Sequence, residues 1–119
     1  MSAQLHAVGS KLRAALAAKP FDPPSRNELA PDPVSQQALR FLIATGDVVE
    51  ITEEMVMATE HVKRATELIQ EFIRDRGPAT VSSLRQMLGS TRRVMLPLLA
   101  RLDRDGVTLR QGEKRILRE

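Results

Sequence analysis

Gly89-Ser90-Thr91-Arg92-Arg93-Val94-Met95-Leu96-Pro97-Leu98-Leu99-Ala100-Arg101-Leu102-Asp103-Arg104-Asp105-Gly106-Val107-Thr108 decides how the rest of the chain is read. A glycine turn opens it, and Ser90 or Thr91 stands where a helix N-cap belongs. The helix over residues 91–105 starts on paired arginines, Arg92 and Arg93. Met95, Leu98, Leu99 and Leu102 recur at three- and four-residue spacing, so they form its inward stripe. Gly106 supplies the stop. Pro97 withdraws the bond to the Arg93 carbonyl, and a kink or a loosened first turn is expected there. Leu109-Arg110-Gln111-Gly112-Glu113-Lys114-Arg115-Ile116-Leu117 then reads as a short basic hairpin turning at Gly112.

Upstream, Gly77-Pro78 breaks a helix and Ala79-Thr80-Val81 forms a short extended link. Ser82 is the expected cap of a helix that carries Leu84, Met87 and Leu88 and ends at Gly89. Strand, helix, turn, helix and hairpin is the winged-helix order. The first half has a similar plan. Leu5, Val8, Leu12, Ala15 and Leu16 mark a helix over residues 4–18, opened by Ser2 and stopped by Pro20. Ser25 and Glu28 are spaced as a capping box for a very short helix over 26–30. Asp32-Pro33 starts a third helix, which ends at Gly46. Asp47-Val48-Val49-Glu50-Ile51 and Met55-Val56-Met57 then read as a hairpin, and a long helix runs from Thr59 to about Arg76. The fold class expected is mainly α (α+β), with two tandem winged-helix domains: residues 1–68 with an acidic wing and residues 69–119 with a basic one.

Composition agrees with this class. Hydrophobic residues make up 42% of the 119, yet there are only three Phe and no Tyr or Trp. The core must come from aliphatic side chains, which suits helices better than a sandwich or barrel. No cysteine is present, which excludes disulfides and thiolate metal sites. No apolar run approaches the roughly 20 residues needed to span a bilayer, and no signal peptide opens the chain. A soluble, cytoplasmic protein without a membrane partner is expected.

Charge is unevenly placed. Residues 1–73 hold seven Lys/Arg against ten Asp/Glu, whereas residues 74–119 hold eleven against five. Ten of those eleven are arginine, whose planar donor fork suits phosphates and guanine edges. The second half therefore points to a nucleic-acid partner rather than to a merely solvated surface. Cations in a helix's first turn oppose the helix dipole, and an incoming phosphate converts that liability into a site. Arg92 and Arg93, with the hydroxyls of Ser90 and Thr91, are the leading contacts. The wing adds Arg110, Lys114 and Arg115 around Gly112, and Arg85 on the preceding helix is a further member. Catalysis has little support: His6 and His61 stand alone, no residues have metal-ligand spacing, and no G-x-x-x-x-G-K-[ST] phosphate loop occurs.

The residues from Thr91-Arg92-Arg93 through Leu117 resemble the last winged-helix domain of the bacterial selenocysteine-specific translation elongation factors (SelB). The pattern there is a small-residue–Ser–Arg–Lys turn, then L-P-L-L, L-D, G-V-T and a G-D/E-x-R wing. Phe21-Asp22-Pro23-Pro24-Ser25 and Leu42-Ile43-Ala44-Thr45-Gly46-Asp47-Val48-Val49 are similar to the domain before it, so the resemblance covers about residues 10–117. It implies binding of the mRNA hairpin that recodes UGA for selenocysteine, with the ribosome as a second partner. A monomer is expected, and the first domain serves as spacer and arm. Readable loop bases and an unreadable deep groove fit such a target. Arg85, Arg92, Arg93, Arg110, Lys114 and Arg115 are the implied contacts. Arg93 departs from the usual Lys and Val94 from an aromatic, which leaves base stacking to arginine planes. Nothing corresponds to the GTPase body, so no enzyme activity and no cofactor is expected; GTP and magnesium belong to that body. The chain thus reads as a C-terminal fragment. A DNA-binding winged-helix regulator, its Thr91 helix in a major groove, is the alternative.

Overall fold

A computed structural model describes residues 2–118. The chain divides into two compact units, Met1–Val62 and Lys63–Glu119. The first contains α1 (Ala3–Ala18), α2 (Arg26–Leu29), α3 (Pro33–Ala44), β1 (Val48–Thr52) and β2 (Met55–Ala58). The division falls inside α4 (Thr59–Arg76), one uninterrupted helix. Then come β3 (Ala79–Thr80), α5 (Val81–Leu88), α6 (Arg92–Arg104), β4 (Thr108–Gln111) and β5 (Lys114–Leu117).

Local chemistry sets most of the borders. The Ser2 hydroxyl accepts the Leu5 N–H and opens α1. Asp32 and Ser35 form a reciprocal capping box: Ser35 N–H donates to Asp32 Oδ1 at 2.8 Å, and Asp32 N–H donates to Ser35 Oγ at 3.3 Å. Pro33 follows at the first helical position, where its missing N–H costs nothing. The Ser25 hydroxyl accepts from Glu28 N–H and donates to its carboxylate, so the pair caps α2. Leu12 and Leu16 of α1, Leu29 and Ala30, Ala38, Leu39 and Leu42 of α3, and Val48 and Val56 of the hairpin make the first core.

In the second unit β5 is the central strand, with β3 and β4 antiparallel on either side. Leu84, Leu88, Val94, Met95, Leu98, Leu99 and Leu102 are buried, α5 packs on α6, and α6 packs on β4. Three expectations change here. Thr80, not Ser82, caps α5: its backbone is extended because it ends β3, and its hydroxyl accepts the Ser83 N–H at 3.1 Å. One residue thus closes a strand and opens a helix. Thr91 has N-cap backbone geometry but makes no side-chain cap bond. The first turn of α6 is not loosened by Pro97, since Met95 and Val94 N–H both reach the Thr91 carbonyl, and the helix runs on to Arg104.

The two helix-to-hairpin junctions repeat bond for bond. Asp47 N–H donates to the Leu42 carbonyl and Gly46 N–H to that of Ile43; Val107 N–H donates to the Leu102 carbonyl and Gly106 N–H to that of Asp103. This is the Schellman pattern, and it needs a left-handed residue at Gly46 (φ 86°) and Gly106 (φ 79°). The hairpins also close alike: Thr59 N–H reaches the Asp47 carbonyl, and Arg118 N–H reaches that of Val107.

Candidate nucleic-acid interface

An open recess of about 420 Å³ lies in the second unit, lined by Thr80, Val81, Ser82, Arg92, Leu96, Arg110, Glu113 and Arg115. Three elements converge on it. Thr80, Val81 and Ser82 bring the N-terminus of α5, Arg92 the first residue of α6, and Arg110, Glu113 and Arg115 the wing. Helix N-termini present unpaired N–H groups and partial positive charge, and the arginines add full charges. The arrangement can hold an anion, and its single carboxylate, Glu113, is outnumbered by Arg92, Arg110 and Arg115.

Of the residues expected from sequence, the recess joins Arg92, Arg110 and Arg115. Arg93 is exposed beside Arg92 in the first turn of α6, and Lys114 is exposed on the wing. Arg85 lies half-buried in the last turn of α5. Gly112 turns the hairpin tip with φ 62°. The Arg110 Nε–H donates to the Gly112 carbonyl at 3.0 Å, which folds this side chain over the tip. Ser90 is buried, and the Thr91 Oγ1 atom is buried with no hydrogen-bond partner among the described residues. Val94 is fully buried, so the position that departs from the aromatic belongs to the core and not to a stacking surface.

Arg115 is the unusual member. It is 6% exposed, and its guanidinium is held by Asp103 of α6, through Nη2 to Oδ2 at 2.9 Å and Nε to Oδ2 at 3.2 Å. Thr108, fully buried at the start of β4, donates its hydroxyl to Asp103 Oδ1 at 2.6 Å. Burial alone pushes the Asp103 carboxyl up, but hydrogen bonds from Arg115 and Thr108, with the charges of Arg115 and Arg110, outweigh it. The carboxyl ends below its ordinary value.

Sequence reasoning missed Thr80, Val81, Ser82, Leu96 and Glu113 as lining residues, and Asp103 as their neighbour. One signal was available for Leu96: four residues after Arg92, it shares that residue's helix face. Its 41% exposure marks an apolar patch beside the cations. Among the described residues, no group of three or more His, Asp or Glu could hold a metal ion. No helix is long and apolar enough to cross a membrane.

No curated protein matches the chain. Solved structures that share its fold include two elongation-factor chains. The mRNA-binding domain of elongation factor SelB from E. coli, in complex with SECIS RNA, matches with a TM-score of 0.77 at 20% identity, over 100% of both chains. A bacterial selenocysteine-specific elongation factor EF-Sec matches with a TM-score of 0.76 at 23% identity, over 100% of this chain. The present chain spans 20% of that one's length. These likenesses establish a helix-rich α+β fold of winged-helix type. A family model, the winged helix of elongation factor SelB, matches residues 71–117.

Proposed function

We infer that the chain is an RNA-hairpin-binding module of a selenocysteine-specific elongation factor, which tethers such a factor to the insertion hairpin of its mRNA during UGA recoding. The observation that carries this is the convergence of two helix N-termini and the wing on one arginine-lined recess, within the stretch that matches the SelB winged helix. Arg92, Arg93, Arg110 and Lys114 supply charge to the RNA backbone. Arg115 lines the recess, Gly112 turns the hairpin tip, and Arg85, Ser90 and Thr91 support the surface from α5 and the turn before α6. A backbone traced by such charges binds with strong salt dependence.

In this reading the chain holds two tandem winged-helix domains, residues 1–68 and 69–119, with α4 shared between them. The repeated Schellman junctions and hairpin closures support it. The module binds as a monomer in the cytoplasm, beside the ribosome, and performs no catalysis; GTP and magnesium act in the GTPase body of such factors.

Binding to an RNA hairpin, and to duplex DNA of equal length, measured across salt concentrations tests the proposal. Hairpin affinity should exceed that for duplex and fall linearly on a log–log salt plot. Replacing both Arg92 and Arg93 by Ala should weaken hairpin binding by about tenfold or more, the loss expected for charge-assisted contacts. A change within about twofold at fixed salt would remove these arginines from the site. A salt-insensitive affinity would remove phosphate contact altogether.

A further inference from the structure

We propose that Asp103 is a positioning residue for this interface, fixing the wing's cations against the N-terminal arginines of α6. The inference rests on the RNA-binding reading above and concerns a residue that carries the wrong charge for RNA contact.

Asp103 is tied by side-chain hydrogen bonds to both strands of the wing. It accepts from Thr108 on β4 and from Arg115 on β5. The bonds join elements that the sequence separates, with Arg115 twelve residues downstream. Arg115 also lies on the central strand of the second unit's sheet, directly opposite Ala79 on β3 and Arg110 on β4. Holding its guanidinium therefore sets the central strand against α6. Lys114, the neighbour of Arg115, and Arg110, its cross-strand partner, follow from that setting. Arg92 stands on the other wall of the same recess.

Charge supports the same role. Arg110 and Arg115 are directly opposed like charges, an unfavourable cross-strand pair. The Asp103 carboxylate lies within the electrostatic reach of both. It lets two arginines share one sheet face without splaying the hairpin. A bidentate guanidinium–carboxylate pair fixes orientation as well as distance, which a lone ammonium does not.

The direction of one mutational effect separates this role from simple charge. Asp103→Asn removes an anion from a phosphate-binding surface, and Coulomb attraction alone makes that variant bind RNA more tightly. Positioning makes it bind more weakly, by about tenfold if one charge-assisted contact is lost with the wing's alignment. The experiment uses the full chain and an RNA hairpin at fixed salt, well below the unfolding temperature of each variant. Asp105→Asn is the charge control, since Asp105 is the exposed C-cap of the same helix and pairs only weakly with Arg101 at 3.6 Å. That variant should hold or slightly raise affinity.

Arg115→Lys keeps formal charge and loses the bidentate fork, so it should weaken hairpin binding several-fold even if Asp103→Asn proves too unstable to assay. In the Arg115→Lys background, adding Asp103→Asn should cost far less than it does alone, because the two act as one unit. Tighter or unchanged binding by both single variants overturns the proposal. So does a loss that is fully additive in the double variant. If the parent chain binds the hairpin no better than duplex DNA, the RNA reading fails; if Arg92→Ala with Arg93→Ala weakens hairpin binding while Asp103→Asn and Arg115→Lys do not, only the positioning role fails.

Discussion

Arg110 and Arg115 stand directly opposite each other across the wing, one on each strand of an antiparallel pair. Directly opposed like charges cost stability, and the fold bears that cost where the recess gathers its cations. Arg115 is buried and has a half-buried carboxylate partner, whereas Arg110 is exposed and bonds only the Gly112 carbonyl among the contacts described above. The two arginines therefore divide the work. Replacing Arg110 with Thr, a good strand former, should leave folding stability within about 0.5 kcal/mol of the parent, as for most surface substitutions. RNA-hairpin affinity should nevertheless fall. Urea unfolding and hairpin binding on the same preparation check this; a large stability loss would make Arg110 a structural residue.

Acid should loosen the second unit through Asp103. Its carboxyl is held below the ordinary value of 3.8, so the folded state binds the proton less readily than the unfolded chain. Stability from this group is full above the unfolded value and is lost as pH falls through the lower, folded one. Asp32 is shifted the same way, chiefly by the Ser35 N–H and hydroxyl, so global unfolding would mix the two. Amide exchange of α6 and β5 residues between pH 5 and 3 reads the second unit alone. Protection there should drop with pH in the parent, and drop less in Asp103→Asn, which has no such proton to take up. That variant should also be less stable at neutral pH by about 1–3 kcal/mol, since it leaves the buried Arg115 guanidinium without its anion.

Most element borders were legible in the sequence because short-range backbone chemistry determines them. Asp32-Pro33, Gly46, Gly77-Pro78, Gly89 and Gly106 each act within a few residues, and the helices start or stop beside them. The arginines at the start of α6 were legible as a site for the same reason: a helix N-terminus is a local feature. Arg115 was not. Its charge reads as surface in any one-dimensional pattern, and only the folding-back of β5 onto α6 brings it to Asp103. Thr80 and Ser82 compete for one cap, and the choice depends on β3 pairing with β5, a contact between residues 80 and 114 that no local signal carries.

The two Schellman glycines offer a paired comparison. A Cβ built on Gly46 or Gly106 meets nothing within 4 Å, so an alanine there has room and pays only for its left-handed backbone. Gly46→Ala and Gly106→Ala should each destabilise their own unit by about 1–2 kcal/mol, with Asn costing less than Ala at both. Local amide exchange in each unit measures this. A much larger loss at one position would show that the junctions differ in more than sequence.

Two N-caps should respond in opposite ways to losing their polar atoms. Asp32 both receives the Ser35 N–H and donates its own to Ser35 Oγ, so Asp32→Ala should cost about 1 kcal/mol, the usual loss for an N-cap. Thr91 occupies the same helical position in α6, yet its hydroxyl caps nothing and its Oγ1 is buried without a partner among the described residues. A buried, unsatisfied polar atom costs roughly 1–3 kcal/mol, and an apolar group of the same shape avoids that penalty. Thr91→Val keeps the branched shape and suits the extended backbone of that residue. It should therefore be neutral or stabilising, against the ordinary expectation for a cap. Thermal unfolding of the two variants side by side decides the matter: equal losses would mean that Thr91 finds a hydrogen bond in solution, through water or a shifted side chain, and caps α6 after all.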